Sequence, residues 1–123
     1  MYNRKLYGTA AATANGVASI IIPRRSRLVG IQWGCRFDNI TDNASCVLEL
    51  SLASATEIAV NNAQQCISEC HFWSNFVTSG ATNAGTNLFV PVDTSLEQGQ
   101  NVYLHAVVSG TLTFYANAIL WLK

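Results

Sequence analysis

Charge is what this sequence has least of: 7 Lys and Arg stand against 7 Asp and Glu, 11% of all residues, where an average soluble domain carries about 25%. The net charge is zero, whereas a domain that grips phosphates ordinarily has a basic excess, so nucleic acid is not an expected partner. Long apolar runs are missing as well. No stretch approaches the roughly 18 residues that a membrane-spanning helix needs, and no membrane span is expected. The nucleophile elbow G-x-S-x-G, the P-loop and G-x-G-x-x-G are all absent, which leaves no constellation for an enzyme or a cofactor. A secretory signal is not expected either. Arg4 and Lys5 do precede an Ala-rich stretch, but Asn15-Gly16 interrupts it, and the apolar burst Val17 to Ile22 runs straight into Pro23-Arg24-Arg25 without a small-residue cleavage pattern.

What is present is alternation. Val29, Ile31, Trp33, Cys35 and Phe37 share one parity with Gly30, Gln32, Gly34 and Arg36 on the other, the period of a half-buried strand. Cys46, Leu48, Leu50 and Leu52 repeat the pattern after the polar turn 38–45, as do Val102, Leu104, Ala106 and Val108. Ser109-Gly110-Thr111 then reads as a hairpin loop that sets Val108 against Leu112, Ala106 against Phe114 and Leu104 against Ala116. The middle of the chain is less regular. Glu57 to Val60 reads as a short strand, 61–69 as one or two helical turns, 79–87 as a loop and Leu88 to Val92 as a strand. Thr94 and Glu97 have capping-box spacing.

At 123 residues the chain suits a single core. About seven to eight strands near ten residues apart predict an all-β fold, an antiparallel β-sandwich of jelly-roll or Greek-key type. Residues 1–16, rich in Ala, Thr and Asn, read as an N-terminal arm that orders by docking on its own sheet or on a neighbour. Residues 17–123 form the sandwich domain, with Val29, Ile31, Trp33, Leu48, Leu50, Leu104, Val108, Phe114 and Leu120 as its core.

Candidate chemistry is sparse. Cys66-x-x-x-Cys70-His71 offers zinc-type donors, but a structural site needs four ligands, and neither Cys35 nor Cys46 has a paired neighbour. The four cysteines are therefore read as free thiols acting as small buried hydrophobes, and no metal is assigned. His105 reads as an outer-face or interface imidazole. Asn39-Ile40-Thr41 and Asn43-Ala44-Ser45 match the glycosylation acceptor pattern but mean a polar turn without a secretory signal. Arg24, Arg25 and Arg27 gather three of the seven cations in four positions, an expected intersubunit contact. Tyr115, Ile119 and Trp121 share the outer parity of the last strand and are too large and apolar to be left bare. These six residues are the expected partner-binding set, and the chain is expected to assemble with itself as a dimer or trimer.

The segment from Phe89 to Leu122, FVPVDTSLEQGQNVYLHAVVSGTLTFYANAILWL, resembles the closing part of small jelly-roll proteins of tailed-bacteriophage virions, where a strand ending near Pro leads through a Gly-containing turn into a Y-L-H-A-like strand and an S-G hairpin. The resemblance implies a place in the virion, as a capsid cement or decoration protein contacting the major capsid protein, or as a small fibre or spike subunit. It implies no active site. The competing expectation is a carbohydrate- or receptor-binding jelly roll that stacks sugars on Trp73, Trp121 or Tyr115.

Overall fold

The computed structural model describes residues 2–11, 16–38, 44–54, 66–74, 84–109 and 113–123. These form eight strands: β1 (Tyr2–Ala11), β2 (Gly16–Ile21), β3 (Ser26–Asp38), β4 (Ala44–Ser51), β5 (Cys66–Ser74), β6 (Ala84–Leu96), β7 (Asn101–Ser109) and β8 (Thr113–Leu122). A first sheet has the order β1-β8-β3-β6 and a second β2-β7-β4-β5. Every neighbouring pair is antiparallel. Read as nested pairs, β1 lies with β8, β2 with β7, β3 with β6 and β4 with β5, alternating between the sheets. This is one long double strand rolled up on itself, and β8–β3 and β7–β4 pairing closes the roll. The expected antiparallel sandwich is therefore found, and its topology is that of a jelly roll.

The strand partners differ from the expected ones. β7 and β8 occupy their expected stretches, but they belong to opposite sheets. Leu104 pairs with Ala18 and Leu50, while Ala116 pairs with Gly8 and Cys35. β3 and β4, on either side of the expected polar turn 38–45, are split between the sheets in the same way, and so are β2 and β3. Period two explains why. It marks an apolar face on each strand, and two such faces satisfy each other across the sandwich as well as they would side by side. Of strands consecutive in sequence, only β4 and β5 pair.

Composition also yields to pairing in the middle of the chain. Residues 84–87, expected as loop, continue β6 because β3 offers partners to them, Thr86 opposite Cys35 and Asn87 opposite Gly34. Thr94 sits in the same ladder opposite Leu28, so the expected capping box does not form. Glu97–Gln100 is instead a tight turn: Gln100 N–H donates to Glu97 O at 3.2 Å, and Gly99 has φ of 81°, the positive value a type II turn requires at its third residue. Residues 66–69, expected as helical, open β5. The pairing shifts between Leu50 and Ser51, which makes Ile67 an extra residue and breaks the alternation that would have announced the strand. Residues 57–65 lie outside the described residues. The expected arm is edge strand β1, docked on β8 of its own sheet.

Between the sheets lie Ile22, Leu28, Ile31, Trp33, Leu48, Leu50, Leu96, Val102, Leu104, Leu120 and Leu122, all at most 1% exposed. Six of the expected core residues are among them. Val29 is not. A register shift between Leu28 and Gly30 reverses parity there, so Leu28 is buried and Val29 only half-buried. The side chains of Val108 and Phe114 lie outside the described set. No helix among the described residues is long and apolar enough to cross a membrane.

Leu104→Ala should cost about 2–5 kcal/mol in urea denaturation, the range for a buried leucine whose cavity cannot fully collapse. Ile21→Ala, at a side chain 62% exposed, should stay within about 0.5 kcal/mol.

Candidate functional site

The inner face of the first sheet is covered by the second. Its outer face is the candidate site. Register and burial place Gly30, Gln32 and Gly34 of β3 there, beside Tyr115, Asn117, Ile119 and Trp121 of β8 and Phe89 and Pro91 of β6. Across the strands, Trp121 lies opposite Gly30, which lies opposite Pro91, and the next row runs Ile119, Gln32, Phe89. Phe89 is 56% exposed and Tyr115 40%. Ile119 and Trp121 are half-buried. A Cβ at Gly30 would stand 2.4 Å from Phe89 Cζ, so any other residue there would displace the ring. The room left by glycine is taken by an aromatic ring of the adjacent strand.

The parity reversal at Val29 keeps Arg27 on this same outer side, where its backbone pairs with Lys123 through bonds of 2.9 and 2.8 Å. A charged fringe therefore closes one end of the apolar strip. Arg27 donates from Nε to Asp93 Oδ1 and from Nη1 to Ser95 Oγ at 3.3 Å. Arg25 Nε lies 3.7 Å from Glu97 Oε1 across fully solvated surface. Arg24 stacks its guanidinium 4.3 Å from the centroid of the Tyr2 ring, a cation–π contact. Ser26 Oγ, itself hydrogen-bonded to the Tyr2 hydroxyl, donates to Arg24 O at 2.8 Å and so braces the turn. Each of the three arginines thus has a partner in its own chain. Arg27, Tyr115, Ile119 and Trp121 share one sheet face, and Arg24 and Arg25 stand at the turn that borders it.

Phe89, Pro91 and Asp93 were not legible as members of this surface, whereas Gln32 was read on the outer parity of β3 and stands there. Leu88, Phe89, Val90 and Val92 put apolar residues at both parities, so the sequence does not say which face Phe89 takes. The cysteines and histidines also sort by face. Cys70 is buried opposite Leu48 in the core, while His71, next along the strand, is exposed, so Cys66, Cys70 and His71 do not converge on one ion. Cys66 and Cys70 are both free thiols. Burial pushes the Cys70 thiol up from its ordinary value, against a smaller downward pull from a backbone hydrogen bond at His71.

No family model matches the chain, and no curated protein matches it. Among solved structures it is similar to a chain of the T13 IBDV viral particle, with 12% identity and a TM-score of 0.45, over 96% of this chain and 31% of that one. It is also similar to an arabinose-bound α-L-arabinofuranosidase, with 9% identity and a TM-score of 0.44, over 89% of this chain and 17% of that one. A family 16 carbohydrate-binding module is covered over 75% of its length, at 13% identity and a TM-score of 0.29. This chain therefore spans less than a third of the first two, and no residue role is carried over from any of them.

The Arg27 guanidinium holds the Asp93 carboxyl below its ordinary value, chiefly by the hydrogen bond, against an opposing desolvation and with a smaller help from charge, and Asp93 raises Arg27 in turn. For a depressed carboxylate the stabilisation is present in full above the unfolded value, about 3.9, and is lost as pH falls through the folded one. An NMR pH titration should show Asp93 titrating below that value, and Arg27→Gln should return it. The midpoint of thermal unfolding at neutral pH should hardly move, because the pair is solvated.

Proposed function

We propose that this chain is a structural virion protein, a jelly-roll module that attaches to capsid subunits as a cement or decoration protein, and that the outer face of the first sheet is its contact surface. One observation carries the reading. After the core has closed, a second apolar surface made of Phe89, Pro91, Tyr115, Ile119 and Trp121 remains on the outside. Water gains nothing from wetting such a strip, and burial against another protein removes the cost. Protein interfaces are enriched in aromatic residues and depleted of charge at their centres, which matches the strip and the balanced, sparse charge of the whole chain.

In this reading the chain also assembles with itself, as a dimer or trimer, and is located in the virion. Arg24, Arg25 and Arg27 act at the rim. A guanidinium has five N–H donors, so those with a partner in their own chain still have donors for the carboxylates or carbonyls of a neighbour, giving orientation more than affinity. A second reading, a carbohydrate- or receptor-binding module of a fibre or spike, is favoured by the placing of Tyr115 and Trp121 on the same face as the amides of Asn117 and Gln32. Aromatic faces and amide groups together suit a sugar, one stacking and the other hydrogen bonding.

Virions purified from cells producing the chain should carry it bound through high-salt washing, because apolar contact is not screened. The double variant Ile119→Lys/Trp121→Lys should fold, as judged by circular dichroism, and remain in the soluble fraction. Absence of the wild-type chain from the particles, together with a glycan-array signal that disappears in Trp121→Ala, would overturn the structural reading in favour of the second.

A further inference from the structure

The outer face of the second sheet is built from different material. Register sets His105 of β7, Glu49 of β4 and Glu69 of β5 side by side across three strands, with Tyr103, Ser51 and Cys66 in the next row. Outward positions of a sandwich are ordinarily solvated, yet Glu49, Ser51 and His105 have no exposed surface. The chain leaving β4 passes over this face and is tied to it twice. Ala53 N–H donates to Ser51 Oγ at 3.0 Å, and Ala53 O lies 2.9 Å from His105 Nε2.

We propose that this cluster binds a divalent transition-metal ion of the zinc class, with Glu49, Cys66 and Glu69 as its ligands. The donor atoms of these three side chains all lie within 4.8 Å of one another, and the Cys66 thiol donates to Glu69 Oε1 across 3.9 Å. Zinc-to-sulfur and zinc-to-oxygen bonds at a tetrahedral angle hold sulfur and oxygen roughly 3.6 Å apart. The pair therefore stands a few tenths of an ångström from the spacing an ion would impose. The donor set selects the ion. Calcium and magnesium take oxygen ligands, whereas a thiolate beside carboxylates suits a borderline-soft cation.

His105 points independently to a ligand on the same face. A carbonyl oxygen can only accept, so the bond to Ala53 puts the proton on Nε2 and leaves Nδ1 as a lone pair. That nitrogen is buried and has no hydrogen-bond partner among the described residues. A buried acceptor of this kind needs a donor. Three protein ligands leave the fourth tetrahedral position to water, which can donate in the row where Glu49 pairs with His105. His71 Nε2, 3.4 Å from Glu69 Oε2, orients that carboxylate from the open side, as residues behind metal ligands commonly do. Binding exchanges the thiol proton for the ion: Cys66–SH and M²⁺ give the metal thiolate and one released H⁺.

The proposal does not rest on the virion reading and is tested separately. Titration calorimetry of the full chain with zinc alone, in two buffers of different ionisation enthalpy, should give one ion per chain and about one proton released per ion. Cobalt(II) should bring up a thiolate-to-metal charge-transfer absorption, and zinc should slow alkylation of Cys66. Glu49 is buried, so the discriminating variants are Cys66→Ser and Glu69→Gln, with folding checked by circular dichroism. Cys66→Ser should abolish the absorption, and each variant should weaken zinc binding at least tenfold. Zinc affinity no better than millimolar in the wild-type chain, or a cobalt band that persists in folded Cys66→Ser, overturns the proposal.

Discussion

The molecule depends on the ladder between β3 and β8. The nested pairs of the roll stack outward from it in the first sheet, β1 on the far side of β8 and β6 on the far side of β3. Its inner side supplies Leu28, Ile31, Trp33, Ala118, Leu120 and Leu122 to the core. Its outer side supplies the centre of the apolar strip. A strand cannot choose its two faces separately, because successive side chains leave the backbone in opposite directions. The register that buries Trp33 opposite Ala118 therefore also sets Gln32 opposite Ile119 and Gly30 opposite Trp121.

The bulge at Val29 is the one place where this coupling is undone, and it has a visible use. Without it, the parity that buries Ile31 and Trp33 would also bury Val29 and send Leu28 outward, and Arg27 would turn toward the core. With it, Leu28 and Leu122 close the end of the core while Arg27 stays on the surface beside Asp93 and Ser95. A single extra residue thus lets an apolar strand end in a charged turn without burying a guanidinium, whose desolvation would outweigh any exposed ion pair.

The two outer faces of the sandwich diverge for a related reason. The first sheet's outer face among the described residues is crossed by no covering segment, and Phe89 lies close against Gly30 on it. On the second sheet's outer face Glu49, Ser51 and His105 are out of water, and Ala53, just after β4, meets Ser51 and His105 there. Polar groups buried in this way must be satisfied by fixed partners, and Ala53 supplies one through its carbonyl. The apolar face suits contact with another macromolecule, and the polar one suits a small charged ligand.

Alternation along the chain was enough to identify β3, β4, β7 and β8 as strands, to assign Ile31, Trp33, Leu48, Leu50, Leu104 and Leu120 to the interior, and to put Tyr115, Ile119 and Trp121 on a common outer face. Period two is a property of the extended backbone itself and needs no partner to be read. Tertiary structure alone decided which strands pair, since an apolar face is satisfied equally by a neighbour in its sheet and by the sheet opposite. It also decided the parity at Val29 and Ile67, where one extra residue is accommodated only because a neighbouring ladder continues past it. The strand character of 84–87 and 93–96 came from β3, whose hydrogen-bonding groups outweigh a Gly, Thr and Asn composition. The burial of Glu49 and His105 was equally illegible: both occupy outward parity, and the partner that meets His105, Ala53, lies 52 residues away in sequence.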